Sequence, residues 1–376
     1  MTTALSAPPV RSHGRCMVWE GSAGPAGVRL RERPAPEPAP GQVSVRVRAA
    51  GLNHLDLWVV SGAQRVAPPR VISADCAGVV ESSADPAWRP GDEVLCYPVS
   101  VCWRCERCRR GQQVHCGRFA VLGEHADGAA CEVVTLPAQN LYPKPAVLSW
   151  EEGAALPLAY LTAWRMVVTR ARLSAGETLL VVGGSGAVGT AAVLIGRHLG
   201  ARVLTTTRSP AKRPRLRALG AEQVFASAGF SRDVLDVTDG RGADVVVDHV
   251  GAATFDESLR SAALGGRVTT CGATTGVMTA LNLPRVFVRQ LEILGSTAGN
   301  ADEFADLVAA AGRGLRPVVA RVFPFAQTPD ALAALAASDQ AGPDQAGPNQ
   351  VGLDQVGPDE VGLDQVGKVV LRMPIG

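Results

Sequence analysis

Four cysteines stand close together at Cys102, Cys105, Cys108 and Cys116, in the pattern C-x2-C-x2-C-x7-C. Two-residue spacings let one tight loop aim successive thiolates at a single ion, and four thiolates close a tetrahedral zinc shell. A closed shell leaves no position for water or substrate, so a metal held here is structural. An iron–sulfur cluster and a redox pair are the alternatives to zinc. Arg104, Arg107, Arg109 and Arg110 lie among the ligands; they favour the thiolate form and otherwise make a solvated loop face. A second stretch has different chemistry. Leu179 to Val182 is an apolar run, followed by Gly183-Gly184-Ser185-Gly186-Ala187-Val188-Gly189. Gly184, Gly186 and Gly189 form G-x-G-x-x-G. The first glycine permits a tight turn, the second lets the backbone approach a pyrophosphate, and the third lets helix and strand pack closely. The helix that follows offers free N–H groups to phosphate oxygens.

These residues need elements to hold them. Around the glycine turn the pattern reads as a strand, an amphipathic helix to about Leu199, a stop at Gly200, and a second strand from Ala201 to Thr206. Helix and strand then alternate to about Gly295, including Asp244–Asp248 and Arg267–Cys271, which predicts a doubly wound parallel sheet. From Cys16 to about Val147 the chain is instead strand-rich and broken by Gly and Pro, with Val43–Val47, Glu93–Cys96 and Cys131–Leu136 as clear strands. Ser149 caps a helix with Glu151 and Glu152 in its first turn. The tail returns to helices at about Ala301–Ala311 and Thr328–Ala337 and to strands at Val318–Val322 and Lys368–Leu371.

The expected class is therefore α/β in two domains. Residues 1–14 are a loose extension and 15–150 a β-rich domain with the cysteine lobe at about 96–118. Residues 151–297 form a nucleotide-binding domain, followed by a tail of helices and strands at 298–376. One segment fits neither pattern. From Asp339 to Gly367 a five-residue unit of the type DQVGP repeats, with a glycine in each copy and too few large apolar side chains for a core. It reads as an expanded solvated loop, with a partner-binding role as the alternative.

Composition bounds the partners. The 376 residues are 47% hydrophobic and carry a formal charge of +2, which argues against nucleic acid. No run approaches a membrane span, the N-terminus lacks a signal-peptide core, and the clustered thiols suit a reducing compartment. A cytoplasmic enzyme is expected.

A four-cysteine lobe in a β-rich domain followed by a dinucleotide fold resembles the medium-chain dehydrogenase/reductase superfamily, which includes zinc alcohol dehydrogenases and quinone (enone) reductases. The matching pieces run in order: AAGLNHLDLWVVSG, DCAGVVE, RPGDEV, the cysteine lobe, LGEHADGAACEVV, AALPLAYLTAW, the glycine turn, DHVGAATF, GGRVTTCGATTG, QLEILGSTAG and GKVVL. The resemblance implies a GroES-like catalytic domain split between the chain ends, a Rossmann cofactor domain between them, and a homodimer or tetramer often joined through the cofactor-domain sheets. It also exposes a departure. Zinc alcohol dehydrogenases hold a catalytic zinc with a C-H-x-D cysteine, a G-H-E histidine and a later cysteine. Here those motifs read Asn53-His54-Leu55-Asp56, Ser73-Ala74-Asp75 and Pro157-Leu158-Ala159. Asn, Ala and Leu cannot replace that ligand set, so one structural zinc and no catalytic zinc are expected.

In relatives that use NAD, an acid at the end of the second strand binds the adenosine ribose. Here the strand ends in Thr207, with Arg208 and Lys212 behind it and Arg213 next in line, which suits the 2′-phosphate of NADP(H). The resemblance adds Thr162, Val250, Cys271, Gly272, Ala273, Ser296 and Thr297 as cofactor contacts. Without a Lewis acid, hydride addition to the C=C of an enone or quinone is favoured, because conjugation spreads the developing charge. Asn53 is then a donor to the substrate oxygen, Asp56 an orienting group, and His54, Tyr160 or water the proton source. The competing readings are an alcohol/ketone dehydrogenase acting on a specialised metabolite and an NADP(H)-binding sensor or structural protein.

Overall fold

The computed structural model of the chain describes residues 10–34, 37–64, 66–340 and 365–374. The catalytic domain is built around the strand Gln42–Leu52. It pairs antiparallel with Asp75–Ser83 on one side and Cys131–Pro137 on the other, and its far end also pairs with Lys368–Arg372. The registers decide what meets. Gly51 stands opposite Asp75, and Leu52 opposite Val369. The residue after the central strand, the acid beginning the next and the lysine beginning the last therefore converge. The apolar residues of these strands, such as Val43, Val45 and Val134, are fully buried, as alternating strand patterning requires.

The first strand runs Arg11–Trp19, so part of the expected loose extension is a paired strand; residues 1–9 lie outside the described residues. Ser149 forms the predicted capping box with Glu152, each side chain bonding the other's backbone N–H at 3.1 and 2.9 Å. Two short helices follow, Trp150–Ala155 and Pro157–Trp164.

The cofactor domain is a parallel sheet in the spatial order Gln223–Ala226, Arg202–Thr207, Thr178–Val182, Ala243–Asp248, Ala262–Thr270, Glu292–Gly295. The chain order reverses between Thr178–Val182 and Ala243–Asp248, and open α/β sheets bind ligands in the crevice at such a reversal. The glycine turn lies at that crevice. Glu292–Gly295 is the open edge of the sheet. Leu264, Met278, Leu283, Phe287, Val288 and Ile293, on this strand or in segments leading to it, are exposed.

The return segment adds the helices Ala301–Gly312 and Thr328–Gln340 and the strand Val319–Pro324. The second helix thus takes in the first two residues of the pentapeptide repeat. Residues 341–364 of the repeat lie outside the described residues, while Val366 is buried and the Gly367 N–H donates to the Ser185 carbonyl at 3.2 Å. Among the described residues no helix is long and apolar enough to cross a membrane.

Candidate active site

The cysteine lobe assembles as its spacing requires. The sulfurs of Cys102, Cys105, Cys108 and Cys116 all lie within 4.8 Å of one another. Sγ–Sγ separations are 3.8 Å for Cys102–Cys108, 3.9 Å for Cys105–Cys116 and 3.6 Å for Cys102–Cys116. A tetrahedron with zinc–sulfur bonds of about 2.3 Å has edges of about 3.8 Å, so the donors fit a zinc ion. Backbone N–H groups of Cys105, Cys108 and Arg118 point at the sulfurs of Cys102, Cys105 and Cys116, which offsets thiolate charge. Arg104, Arg107, Arg109 and Arg110 are exposed on the lobe. The lobe docks on the return segment: Val114 N–H donates to Asn300 Oδ1 and Ala301 N–H to Gln113 Oε1.

At the positions of the missing metal ligands the structure holds a different cation. Lys368 is 1% exposed, and its ammonium donates to Asn53 Oδ1 and, at 2.6 Å, to Asp75 Oδ2. Asn53 Nδ2 donates to the same carboxylate at 2.9 Å, and Asp75 Oδ1 accepts the Leu158 N–H at 2.7 Å. Ala74 is buried beside them. A Cβ at Gly51 would lie 3.0 Å from Lys368 Cε and 2.4 Å from the Ala154 carbonyl oxygen, so the central strand carries glycine where the lysine passes. Sequence reasoning missed Lys368, because its partners lie hundreds of residues away and no local motif marks it.

The four expected catalytic residues separate. Asn53 is tied into the lysine network rather than displayed to substrate. Asp56 is 1% exposed and accepts the backbone N–H groups of Asn53 and Ser73, each at 2.7 Å. Burial pushes its carboxyl up to about 6, against the pull of those two bonds and of Lys368. Tyr160 is 1% exposed and its hydroxyl accepts the Val318 N–H at 2.8 Å. Burial raises its hydroxyl well above the usual range, so the expectation of a Tyr160 proton donor is corrected: the group is a buried strut. His54 alone is half-buried at the cleft, as first residue of the helix His54–Val60.

In the glycine turn the left-handed backbone falls at Gly183 (φ 81°) rather than at Gly184, which instead packs closely on the second strand. A Cβ at Gly184 would lie 2.1 Å from Thr205 Oγ1, and one at Gly189 2.1 Å from the Gly183 carbonyl oxygen. One at Gly186 would find only His249 Cε1, 3.8 Å away, so space is open on that side of the turn. Ser185, Ala187 and Val188 complete the turn and begin the helix Ala187–His198. The Gly183 and Gly184 N–H groups bond to Thr206, which holds the turn on the second strand.

The remaining expected contacts line the carboxyl edge of the sheet. Val250, with Gly272 and Ala273, lies on the loops after Ala243–Asp248 and Ala262–Thr270, and the Val250 carbonyl accepts from Thr275. Cys271 follows the second of these strands. Burial, then the Asp248 carboxylate, pushes its thiol up to about 12, which suits an inert side chain. Thr162 is buried on the helix Pro157–Trp164. Ser296 and Thr297 follow the edge strand, and the Ser296 hydroxyl is buried without a partner, an orphan that a bound cofactor would satisfy. Past the second strand Arg208 is exposed and Arg213 Nε is buried without a partner. Two members of this group behave otherwise: Thr207 Oγ1 closes a local turn with Ser209 N–H at 3.3 Å, and Lys212 is buried.

Residues 39–146 match the alcohol dehydrogenase GroES-like domain family and 187–312 the zinc-binding dehydrogenase family. An acryloyl-coenzyme A reductase of Metallosphaera sedula is 31% identical over 299 residues, 78% of this chain and 88% of that protein. The chain belongs to the medium-chain dehydrogenase/reductase superfamily. Among solved structures, an NAD-dependent alcohol dehydrogenase is 38% identical with a TM-score of 0.85, covering 96% of this chain and 100% of that one. The 2-octenoyl-CoA carboxylase reductase CinF, in complex with NADP and 2-octenoyl-CoA, is 26% identical with a TM-score of 0.80, covering 97% and 88%. As a medium-chain dehydrogenase/reductase the protein is an oxidoreductase with the split catalytic domain and Rossmann-type domain described above.

Proposed function

We propose that this medium-chain reductase is an NADPH-dependent enzyme that reduces the C=C bond of an α,β-unsaturated carbonyl compound, an enoyl thioester or enone, without a catalytic zinc. The observation that carries the reading is the lysine network. Ala74 and Leu158 offer no donor atom, and the amide oxygen of Asn53 and both carboxylate oxygens of Asp75 are already engaged. A metal would have to displace a buried ammonium to find even two ligands. Reduction of a saturated ketone needs strong polarisation of its oxygen, whereas hydride addition to the β carbon of a conjugated acceptor spreads the charge over the α carbon and the oxygen of an enolate. The similarity to an acryloyl-coenzyme A reductase and to CinF supports the same class.

The bound dinucleotide supplies the hydride. The chain's residues bind and orient: Gly186 leaves room for the pyrophosphate, Ser296 donates from the far loop, and Thr162 closes the site from the catalytic side. Tyr160 is sealed in the core against the Val318 N–H, so the α carbon takes its proton from water or from His54, which is half-buried at the cleft. Arg208 and Arg213 at the end of the second strand favour a 2′-phosphate, whereas a ribose-binding acid is lacking there. Cys102, Cys105, Cys108 and Cys116 hold one structural zinc. A second copy of the chain covers the apolar open edge at Glu292–Gly295.

A matched panel tests the reading. An enone, an enoyl-CoA and a quinone are paired with the saturated ketone and aldehyde, each with NADPH and with NADH. Reduction of the conjugated acceptors with NADPH preferred is the expected outcome, and R208E raises the NADPH KM at least tenfold with little change for NADH. Conversion of the saturated ketone to an alcohol, with the enone untouched, would refute it.

A further inference from the structure

His249 is the one imidazole on the cofactor domain that stands at the strand-order reversal. It follows the strand Ala243–Asp248 directly, and it is half-buried. Its Nε2 lies 3.2 Å from the Gly183 carbonyl oxygen. A Cβ added at Gly183 would lie 3.3 Å from Nε2, and one at Gly186 3.8 Å from Cε1. The ring therefore borders the open space that Gly186 keeps. Two charged groups bear on it, Asp248 from its own strand and His54 from the catalytic domain. Asp248 is held by the Val250 and Gly251 N–H groups and by the hydroxyls of Thr254 and Ser258, so its carboxylate is fixed and fully solvated by protein donors. His54 is close enough for its charge to oppose a charge on His249.

We propose that His249 is a cofactor-binding residue whose imidazole, with Nε2 on the Gly183 carbonyl and Cε1 toward the space at Gly186, takes up a proton as the dinucleotide binds and would attract the pyrophosphate by its charge. Without the anion, burial holds His249 below the ordinary histidine range and the neighbouring His54 adds to the effect, while Asp248 and the Gly183 carbonyl draw it up. A pyrophosphate beside the ring would reverse the balance, because an anion favours the charged form of His249. The complex then binds more protons than the free protein. Affinity is greatest below the free-state pKa, declines as pH rises toward the pKa in the complex, and is lowest above it. The assignment rests on the dinucleotide-binding reading but not on the choice of substrate.

The test is calorimetric titration of the full chain with ADP-ribose and with NADPH, in buffers of different ionisation enthalpy between about pH 6 and 8. ADP-ribose carries the pyrophosphate without the 2′-phosphate, whose own second pKa near 6 would otherwise contribute. Proton uptake with ADP-ribose, and an affinity falling by up to about tenfold per pH unit, is the expected result. H249Q, checked for an unchanged thermal unfolding profile, binds both ligands several-fold more weakly at the low end and shows a flatter pH dependence. Binding of ADP-ribose with no proton uptake, or an unchanged profile in H249Q, would overturn the proposal, and the wild-type measurement decides even if the variant fails to fold. Failure to bind any dinucleotide would remove the cofactor reading itself, whereas proton-linked binding without enone reduction would sink the substrate reading alone.

Discussion

A lysine sealed from solvent is costly unless its charge is paired and its hydrogens are placed. Lys368 meets both conditions through Asp75 and Asn53. Removing the ammonium leaves Asp75 as a buried charge without its cation, so K368M lowers stability by about 3–5 kcal/mol in denaturant unfolding; a loss below about 1 kcal/mol would mean the pair is dispensable. K368R, which keeps the charge, loses part of this because the longer fork has no room beside Gly51. Asp56 makes a pH prediction. Burial pushes its carboxyl up to about 6 in the fold, from an ordinary value of 3.8. The folded chain therefore binds the extra proton between these values, and the residue's contribution to stability rises as pH falls from about 6 toward 4. Comparing unfolding free energies of wild type and D56N over that range checks the sign: the difference must change in favour of wild type on acidification. These contacts were poorly legible in the sequence. Asn53 and Asp75 stood in recognisable motifs, but the lysine that explains them lies at the other chain end.

At the scale of elements, the glycine turn separates folding from binding. Gly189 touches the backbone of Gly183, whereas Gly186 faces open space and one imidazole edge. G189A must push helix from strand and lowers stability by about 1–3 kcal/mol. G186A unfolds like wild type and binds NADPH at least tenfold more weakly; equal stability losses in the two variants would contradict the assignment. The cysteine lobe is similarly specific. The expected outcome of metal analysis is one zinc per chain, and C108S, which removes a buried ligand, is expected to lose the metal and expose the docking contacts at Asn300 and Gln113 to proteolysis. The turn and the lobe were readable because each packs its chemistry into a dozen or so consecutive residues. That Lys212 and Thr207 are buried was not legible, since a sequence shows which residues follow a strand but not which way their side chains turn.

For the whole molecule, both domains followed from strand-rich and alternating patterns, and the split of the catalytic domain from the family resemblance. The sheet registers that join Asn53, Asp75 and Lys368 needed the structure, because pairing between distant strands leaves no periodic signal. The apolar edge around Phe287 and Ile293 predicts a dimer in light scattering that F287D converts to monomer. The central claim is that hydride goes to a carbon–carbon double bond in a cleft organised by Lys368 rather than by a metal. Its most direct test is turnover of an enoyl thioester with NADPH deuterated at C4 of the nicotinamide, followed by analysis of the product. Deuterium on the β carbon with the thioester carbonyl intact is the predicted result. Deuterium on the former carbonyl carbon, with the double bond preserved, would contradict it.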